Sequence, residues 1–265
     1  MLRDLLKARG LLWMLVQREF RARYAGSHLG ALWNIIHPIV LISIYVLIFS
    51  QLMGERLAVG GMGGRFAYAI HLCSALVPFL LFSEVVSRSS SVLVENGSLL
   101  KKLALPGEVL FLGVFITSMA VYSVGMVALI LFLLALGAEL SWTVVFAFPL
   151  MLMLGVAAVG MGMVLSVLTV LIRDVGQFVQ IGLLVMFWSL PIVYVPSIID
   201  SDRINALLAL NPMRGFFTLI QWLFGSVEAD FSPDAYWLMV LLPFAAVLLG
   251  VYFLRRNRGE ILDSL

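Results

Sequence analysis

Two long stretches without a charged residue, 109–138 and 140–172, constrain the fold of this chain more than any other feature. A helix that crosses a lipid bilayer needs about 20 consecutive, mostly apolar residues. Only 12% of the residues are charged, whereas soluble domains average about 25%. The sequence therefore predicts an all-α integral membrane protein.

Six segments are predicted to be transmembrane helices. Apolar residues also recur every three or four positions between charges in the first 27 residues. This pattern predicts an amphipathic helix, with Trp13 and Val16 on its apolar face, that lies in the membrane surface. The six predicted spans are, approximately, 29–52, 66–88, 109–138, 140–172, 175–199 and 235–254.

The segment 200–234 is ambiguous, because its two apolar pieces, about 204–210 and 215–225, are each too short to cross a bilayer. Asn211-Pro212 separates them, since proline and the residue before it disfavour helix. The pieces form either a seventh span or two half-helices that enter and leave the membrane on one side. With six spans, 13 of the 17 Lys and Arg residues lie on the side of both termini, which the positive-inside rule assigns to the cytoplasm. We therefore expect the re-entrant arrangement, at an external mouth.

The whole chain, 1–265, is then expected to be one domain. It comprises a cytoplasmic interface helix in 1–27, a six-span core in 28–254 and a cytoplasmic tail in 255–265.

The longest predicted cytoplasmic connection contains NGSLLKKLALPGE (96–108), which holds two of the three lysines, Lys101 and Lys102. Lysines that only keep the loop inside would not explain the leucines beside them. A short surface helix with leucines exposed next to charge predicts a docking surface for another protein.

No glycine-rich phosphate loop followed by Lys-Ser or Lys-Thr occurs, so we expect no ATP site in this chain. No histidine stands at metal-ligand spacing from a carboxylate, and no catalytic set is evident, so neither a metal site nor a catalytic residue is predicted. Glu84 and Arg88, four residues apart, are predicted to pair.

Small residues recur along the fourth span at intervals that predict close contact with neighbouring helices. Ala158, Gly162 and Ser166 follow each other every four residues, with Gly155 and Gly160 nearby.

Aromatic residues recur on the first and fifth predicted spans, and such rings pack well against sugar rings. They are predicted to line a channel, although a belt at the membrane interface is the alternative for any one of them. The set is Trp33, Tyr45, Phe49, Phe178, Phe187, Trp188 and Tyr194.

Four blocks resemble a known family in their order along the chain. They are REFRARYAGSHLGALWNIIHP (18–38), LVPFLLFSEVVSRSSSVLVENGSLLKKLALPGEVL (76–110), LTVLIRDVGQFV (168–179) and ALLALNPMRGFF (206–217). Together they are similar to the permeases of type-2 ABC exporters that move lipid-linked polysaccharide, namely O-antigen, capsule or teichoic acid.

The resemblance implies a homodimer that works with two separate ATPase subunits, which would bind ATP and magnesium; no cofactor is expected in this chain. The first and fifth spans would face each other across the dimer axis. A coupling helix would dock in the ATPase through Glu95, Asn96, Leu99, Leu100, Lys101, Lys102 and Leu103. An external gate would include Ile198, Asn211, Pro212, Phe216 and Trp222. The cytoplasmic interface would include Arg18, Arg21, Arg23, Arg173 and Asp174.

The function that we expect is export of lipid-linked O-antigen across the bacterial inner membrane, with capsule second. The expected partners are the ATPase, a second copy of the chain, the glycan and membrane lipids, and no nucleic acid. The alternatives are a small-molecule or drug exporter of the same architecture and a membrane enzyme of polyprenyl-glycan assembly.

Overall fold

Helices make up nearly all of the chain that the computed structural model describes, which is residues 9–23, 28–52, 67–103, 107–195, 201–227 and 233–265. No strand occurs within these ranges, so the all-α prediction is confirmed for them. The α-helices are α1 (Arg9–Arg23), α2 (Trp33–Leu52), α3 (Ala67–Glu95), α4 (Gly97–Leu103), α5 (Glu108–Ala135), α6 (Ala147–Leu171), α7 (Val175–Ser189), α8 (Asp202–Ala209), α9 (Arg214–Leu223), α10 (Pro233–Arg256) and α11 (Arg258–Ser264). Short 3-10 helices, Gly30–Leu32 and Trp142–Phe146, precede α2 and α6.

Four helices in the described ranges are long and apolar enough to cross a membrane. They are Ala67–Glu95, Glu108–Ala135, Trp142–Leu171 and Met239–Arg256. The prediction of apolar spans is thus confirmed at four positions. The predicted total of six would need α2 and α7 in addition.

The central helix of the bundle is α3, which contacts α2, α5, α6, α7 and α9. Cys73, Ala75, Leu81 and Val85 on α3 are completely buried. The bundle is therefore organised around α3, and the positions of the other segments are described below by their contacts with this helix.

Small residues bring α6 close to both of its main neighbours, as predicted. A Cβ added at Gly162 would lie 2.3 Å from Ser89 Cβ on α3, and one at Gly160 would lie 2.3 Å from the Ala246 carbonyl carbon on α10. Residues two apart point to nearly opposite sides of a helix. Helix α6 is therefore packed between α3 and α10, at distances that a larger side chain would not allow.

The fifth predicted span is shorter than expected. Helix α7 has 15 residues and ends at Ser189, whereas the prediction extended it to 199. Leu190 is extended (φ −97°, ψ 145°), because the residue that precedes Pro191 disfavours the helical conformation. At 1.5 Å per residue α7 is about 22 Å long, less than the roughly 30 Å hydrocarbon core.

The break predicted at Asn211-Pro212 is present, since α8 ends before it and α9 begins after it. At 1.5 Å per residue these helices of 8 and 10 residues are about 12 and 15 Å long, so neither can cross a bilayer alone. Helix α9 packs against α3 and α6 through buried aromatic and aliphatic side chains.

The N-terminal helix α1 packs against α5. Leu15 and Val16 are buried, and Leu15 faces Gly113 of α5. Trp13 and Val16 are both predicted on the apolar, membrane-facing side of this helix; Trp13 is 62% exposed, whereas Val16 is packed inside the protein. Part of the predicted apolar face of α1 is therefore used for packing against the bundle, and Trp13 is left on the surface.

Candidate functional site

The segments that the sequence assigns to the cytoplasmic side meet at one end of the bundle. Helix α4 follows the end of α3, and α11 contacts both α4 and α6. Arg255 at the end of α10 lies 3.3 Å from the carboxylate of Glu108 at the start of α5, and Arg18 of α1 reaches Asn96 beside α4.

The loop helix α4 presents one face to the surroundings and packs the other. Ser98 and Lys101 on α4 are exposed, as are Val94 and Glu95 at the end of α3, and we call these four residues the exposed face of the loop helix. Leu100 is only 6% exposed. The expectation of exposed leucines is therefore wrong for Leu100, because this side chain belongs to the core of the bundle.

The other predicted coupling residues differ in their burial and in whether their side chains are described. Leu99 is half-buried and packs against the core. Lys102 and Leu103 continue α4, and their side chains lie outside the described part of the chain. Of the two lysines, Lys101 is the one whose side chain the structure describes, and it is exposed.

Asn96 forms the junction between α3 and α4. Its Nδ2 donates to the Val92 carbonyl (2.9 Å), and its carbonyl accepts from the backbone of Leu99 (3.0 Å) and Leu100 (3.1 Å). The remaining side-chain atom, Oδ1, accepts from Arg18 Nη2 at 2.5 Å. Asn96 is 5% exposed, so it fixes the junction from inside and is not available as a contact for a partner.

A chain of polar side chains joins α1, α3 and α5 about two to three helical turns before this junction. Arg88 contacts Glu19 of α1 and lies 3.6 Å from Glu84, which confirms the predicted pair. Glu84 also accepts from Ser118 (3.0 Å) and Tyr122 (2.9 Å) of α5. The sequence analysis missed Glu19, which is 69 positions from Arg88 and carries no local signal of the pairing.

The residues predicted for the cytoplasmic interface differ in exposure and in hydrogen bonding. Arg18 bonds to Asn96, whereas Arg21 is exposed. Arg23 ends α1, and its side chain is outside the described residues. Arg173 and Asp174 are exposed in the turn between α6 and α7, where the Asp174 carbonyl accepts from the backbone of the first turn of α7.

Helix α7 carries a broad exposed apolar face, because within the described part of the chain its main packing contacts are with α3 and α6. Phe178 (69%), Val185 (63%) and Trp188 (59%) are exposed on it. Phe187 instead packs on Phe79 of α3, with ring centroids 5.1 Å apart. Of the predicted lining on this helix, Phe178 and Trp188 are free to meet a ligand or another helix.

The remaining predicted lining residues lie on α2 and in the turn after α7. Trp33 is 43% exposed and Tyr45 is half-buried, whereas the side chain of Phe49 lies outside the described part. Tyr194 donates from its hydroxyl to the Ser189 carbonyl at 3.1 Å, which holds it in the turn. The sequence could not separate these packed rings from the exposed ones.

The opposite end of the bundle is held together by a buried amide. Gln221 of α9 donates to the Pro191 carbonyl at 2.7 Å, and its amide nitrogen lies 3.3 Å from both Nε2 and the carbonyl of His71 on α3. The main-chain carbonyl of Gln221 accepts from Ser226 Oγ at 2.9 Å. Gln221 and His71 are both completely buried, and sequence reasoning missed them; the signal was a single amide within an apolar run.

The residues predicted to form the external gate are Ile198, Asn211, Pro212, Phe216 and Trp222. Ile198 lies outside the described residues. Asn211 donates to Ser189 Oγ at 2.7 Å and accepts from the Met213 backbone, so it ties the break between α8 and α9 to the end of α7. Phe216 is fully buried, whereas Trp222 is 39% exposed.

Comparison with known protein families identifies the family of this chain. The ABC-2 type transporter family matches residues 10–225, which include α1, the loop helix and the α8–α9 pair. The chain belongs to the ABC-2 type transporter family.

Relatives of this ABC-2 type transporter chain include proteins named as O-antigen export permeases and one named as a polysialic acid transport protein. The O-antigen export system permease protein RfbA of Myxococcus xanthus is 31% identical over 251 residues, 94% of this chain and 92% of the relative. A protein of the same name from Klebsiella pneumoniae is 24% identical over 88% of this chain and 87% of its own length. The polysialic acid transport protein KpsM of Escherichia coli is 29% identical over 82 residues, 31% of this chain and 30% of its own.

Proposed function

We propose that this chain is the permease subunit of an ATP-driven exporter that moves lipid-linked O-antigen across the bacterial inner membrane. The observation that carries the proposal is the nearly full-length similarity to the O-antigen export permease of Myxococcus xanthus. ATP is hydrolysed by a separate ATPase subunit, which works on a homodimer of this chain.

The ATPase docks on the exposed face of the loop helix. This face combines the Lys101 ammonium, the Glu95 carboxylate and the Val94 side chain, so it offers charge and apolar surface together. Because α4 joins α3 through the fully bonded Asn96, a displacement of α4 reaches the central helix directly.

Helix α3 carries that displacement to the other end of the bundle. Its 29 residues correspond to about 44 Å at 1.5 Å per residue. Near its first turn, His71 meets Gln221 of α9, so α9 and the break at 211–212 move with α3. The α8–α9 pair acts as the external gate, and the termini and α4 lie in the cytoplasm.

The glycan passes between α2 and α7 of the two subunits. Both helices expose apolar side chains, including Trp33 on α2 and Phe178 and Trp188 on α7. Indole and phenyl faces pack against the C–H surfaces of sugar rings without requiring one sequence of sugars. Six spans per subunit complete this arrangement, with α2 first and, as the fifth, α7 together with the packed segment 190–195 that follows it.

Capsular polysaccharide is the second candidate substrate, favoured by the similarity to the polysialic acid transport protein over 82 residues. Deletion of the reading frame from its own host separates the two. O-antigen export predicts loss of the long-chain lipopolysaccharide ladder, accumulation of lipid-linked glycan in the inner membrane, and recovery with the plasmid-borne wild type. An intact ladder with loss of capsule would support the second candidate, and an unchanged cell surface would refute both.

A further inference from the structure

We infer that the loop helix α4 is held in position from two sides, by α1 and by α11, and that Arg18 and Leu265 are its positioning residues. The effect on transport rests on the function proposed above. The hold itself is a property of the isolated chain, and it can be measured without a substrate or an ATPase.

The first contact comes from α1. The guanidinium of Arg18 donates to Asn96 Oδ1 at the junction that starts α4, 78 positions away in sequence. Helix α1 is itself fixed, because Glu19 contacts Arg88 of α3 and Leu15 is buried against α5. Arg18 therefore connects the start of α4 to a helix that is anchored elsewhere in the bundle.

The second contact comes from the segment after α10. Leu265 lies so close to Gly97 that a Cβ added there would be 3.2 Å from both Leu265 Cβ and Cδ2. The preceding helix α11 is anchored, because Ile261 is only 4% exposed and α11 packs on α6. Glycine at position 97 is what permits this close approach to the first turn of α4.

The two contacts leave the exposed face of the loop helix uncovered. Asn96 and Gly97 are buried, whereas Glu95, Ser98 and Lys101 are exposed. A force applied to the exposed face is therefore passed to α5 through α1 and to α6 through α11, as well as to α3. Without the two contacts, α4 can tilt about its junction with α3, and part of the motion supplied by a partner is lost.

Hydrogen–deuterium exchange of the purified chain in detergent tests the hold. The peptide amides of 97–103 are followed in the wild type, Arg18→Ala and Leu265→Ala. We expect about threefold faster exchange in each variant, a modest factor because the Arg18 side chain is 55% exposed. Gln17→Ala on α1 and Asp263→Asn on α11, both exposed, are the matched controls and should exchange as the wild type does. Unchanged exchange in Arg18→Ala and Leu265→Ala overturns the inference.

A double-variant cycle and a conservative variant separate positioning from general destabilisation. Arg18→Lys keeps a donor and should restore most of the protection. The double variant Arg18→Ala with Asn96→Ala should exchange no faster than the single variant Asn96→Ala, because both substitutions remove the same bond. Independent, multiplicative effects of the two substitutions would contradict a direct bond between them.

The transport consequence is read as glycan exported per ATP hydrolysed by the complex with its ATPase. This ratio should fall about threefold in Arg18→Ala and Leu265→Ala and stay unchanged in the two controls. A normal ratio together with fast exchange refutes the positioning role. If the wild-type complex exports no O-antigen, the proposed function fails, while the exchange result still decides whether α4 is held.

Discussion

Replacement of Gly160 by alanine tests the close contact between α6 and α10. The added methyl carbon would lie 2.3 Å from the Ala246 carbonyl carbon and 2.4 Å from the Val247 nitrogen. Non-bonded carbon atoms prefer separations of about 3.5–4.0 Å, so the helices must part by about 1 Å. The clashing atoms are backbone, and no rotamer change relieves them. Overpacking of this kind costs about 1–3 kcal/mol.

The same substitution has a favourable side, because alanine is preferred to glycine within helices by about 1 kcal/mol. The middle of the overpacking range less this gain leaves an expected net loss of about 1 kcal/mol for Gly160→Ala. Thermal unfolding of the purified protein in detergent should show a melting temperature lower by about 3 °C. Gly182→Ala on α7 is the matched control, because nothing lies within 4 Å of its added carbon. A melting temperature for Gly160→Ala equal to or above that of Gly182→Ala would refute the packing argument.

Three further variants test other parts of the structure and of the proposed function. Lys101→Glu combined with Lys102→Glu should abolish most glycan export while the protein still folds and ATP is still hydrolysed; full export by this variant would remove the loop helix from coupling. Glu139→Cys, in the turn between α5 and α6, should react with an impermeant maleimide added outside intact spheroplasts, whereas Cys73 is buried and should not; labelling of Glu139→Cys only in inverted vesicles would contradict the topology. Gln221→Leu deprives the Pro191 carbonyl of its donor and should destabilise the protein by about 1–2 kcal/mol in thermal unfolding; an unchanged melting temperature would show that the amide holds nothing.

Features encoded by local residue type were predictable from the sequence. The break at Asn211-Pro212 follows from proline stereochemistry, and the close packing of α6 follows from small residues spaced along one helix. The pair of Glu84 and Arg88 follows from their spacing of one helical turn. Each of these predictions needed only residues that are neighbours in the chain.

Contacts between distant segments could not be read in the same way. Gln221 meets His71 across 150 positions, and Arg18 meets Asn96 across 78. Charge and hydrophobicity patterns indicate that such side chains need hydrogen-bond partners, but they do not identify which residues those partners are. Phe216 shows the same limit, because the sequence does not indicate that this aromatic side chain of a short helix is fully buried.

Reconstitution into liposomes tests the central claim most directly. The purified chain, its partner ATPase and lipid-linked O-antigen are combined, and the glycan that becomes accessible to a glycosidase on the far side of the membrane is measured. The account predicts accessible glycan only when the chain, the ATPase and hydrolysable ATP are all present. Equal accessibility without the ATPase, or none with the complete and ATP-hydrolysing complex, would contradict it.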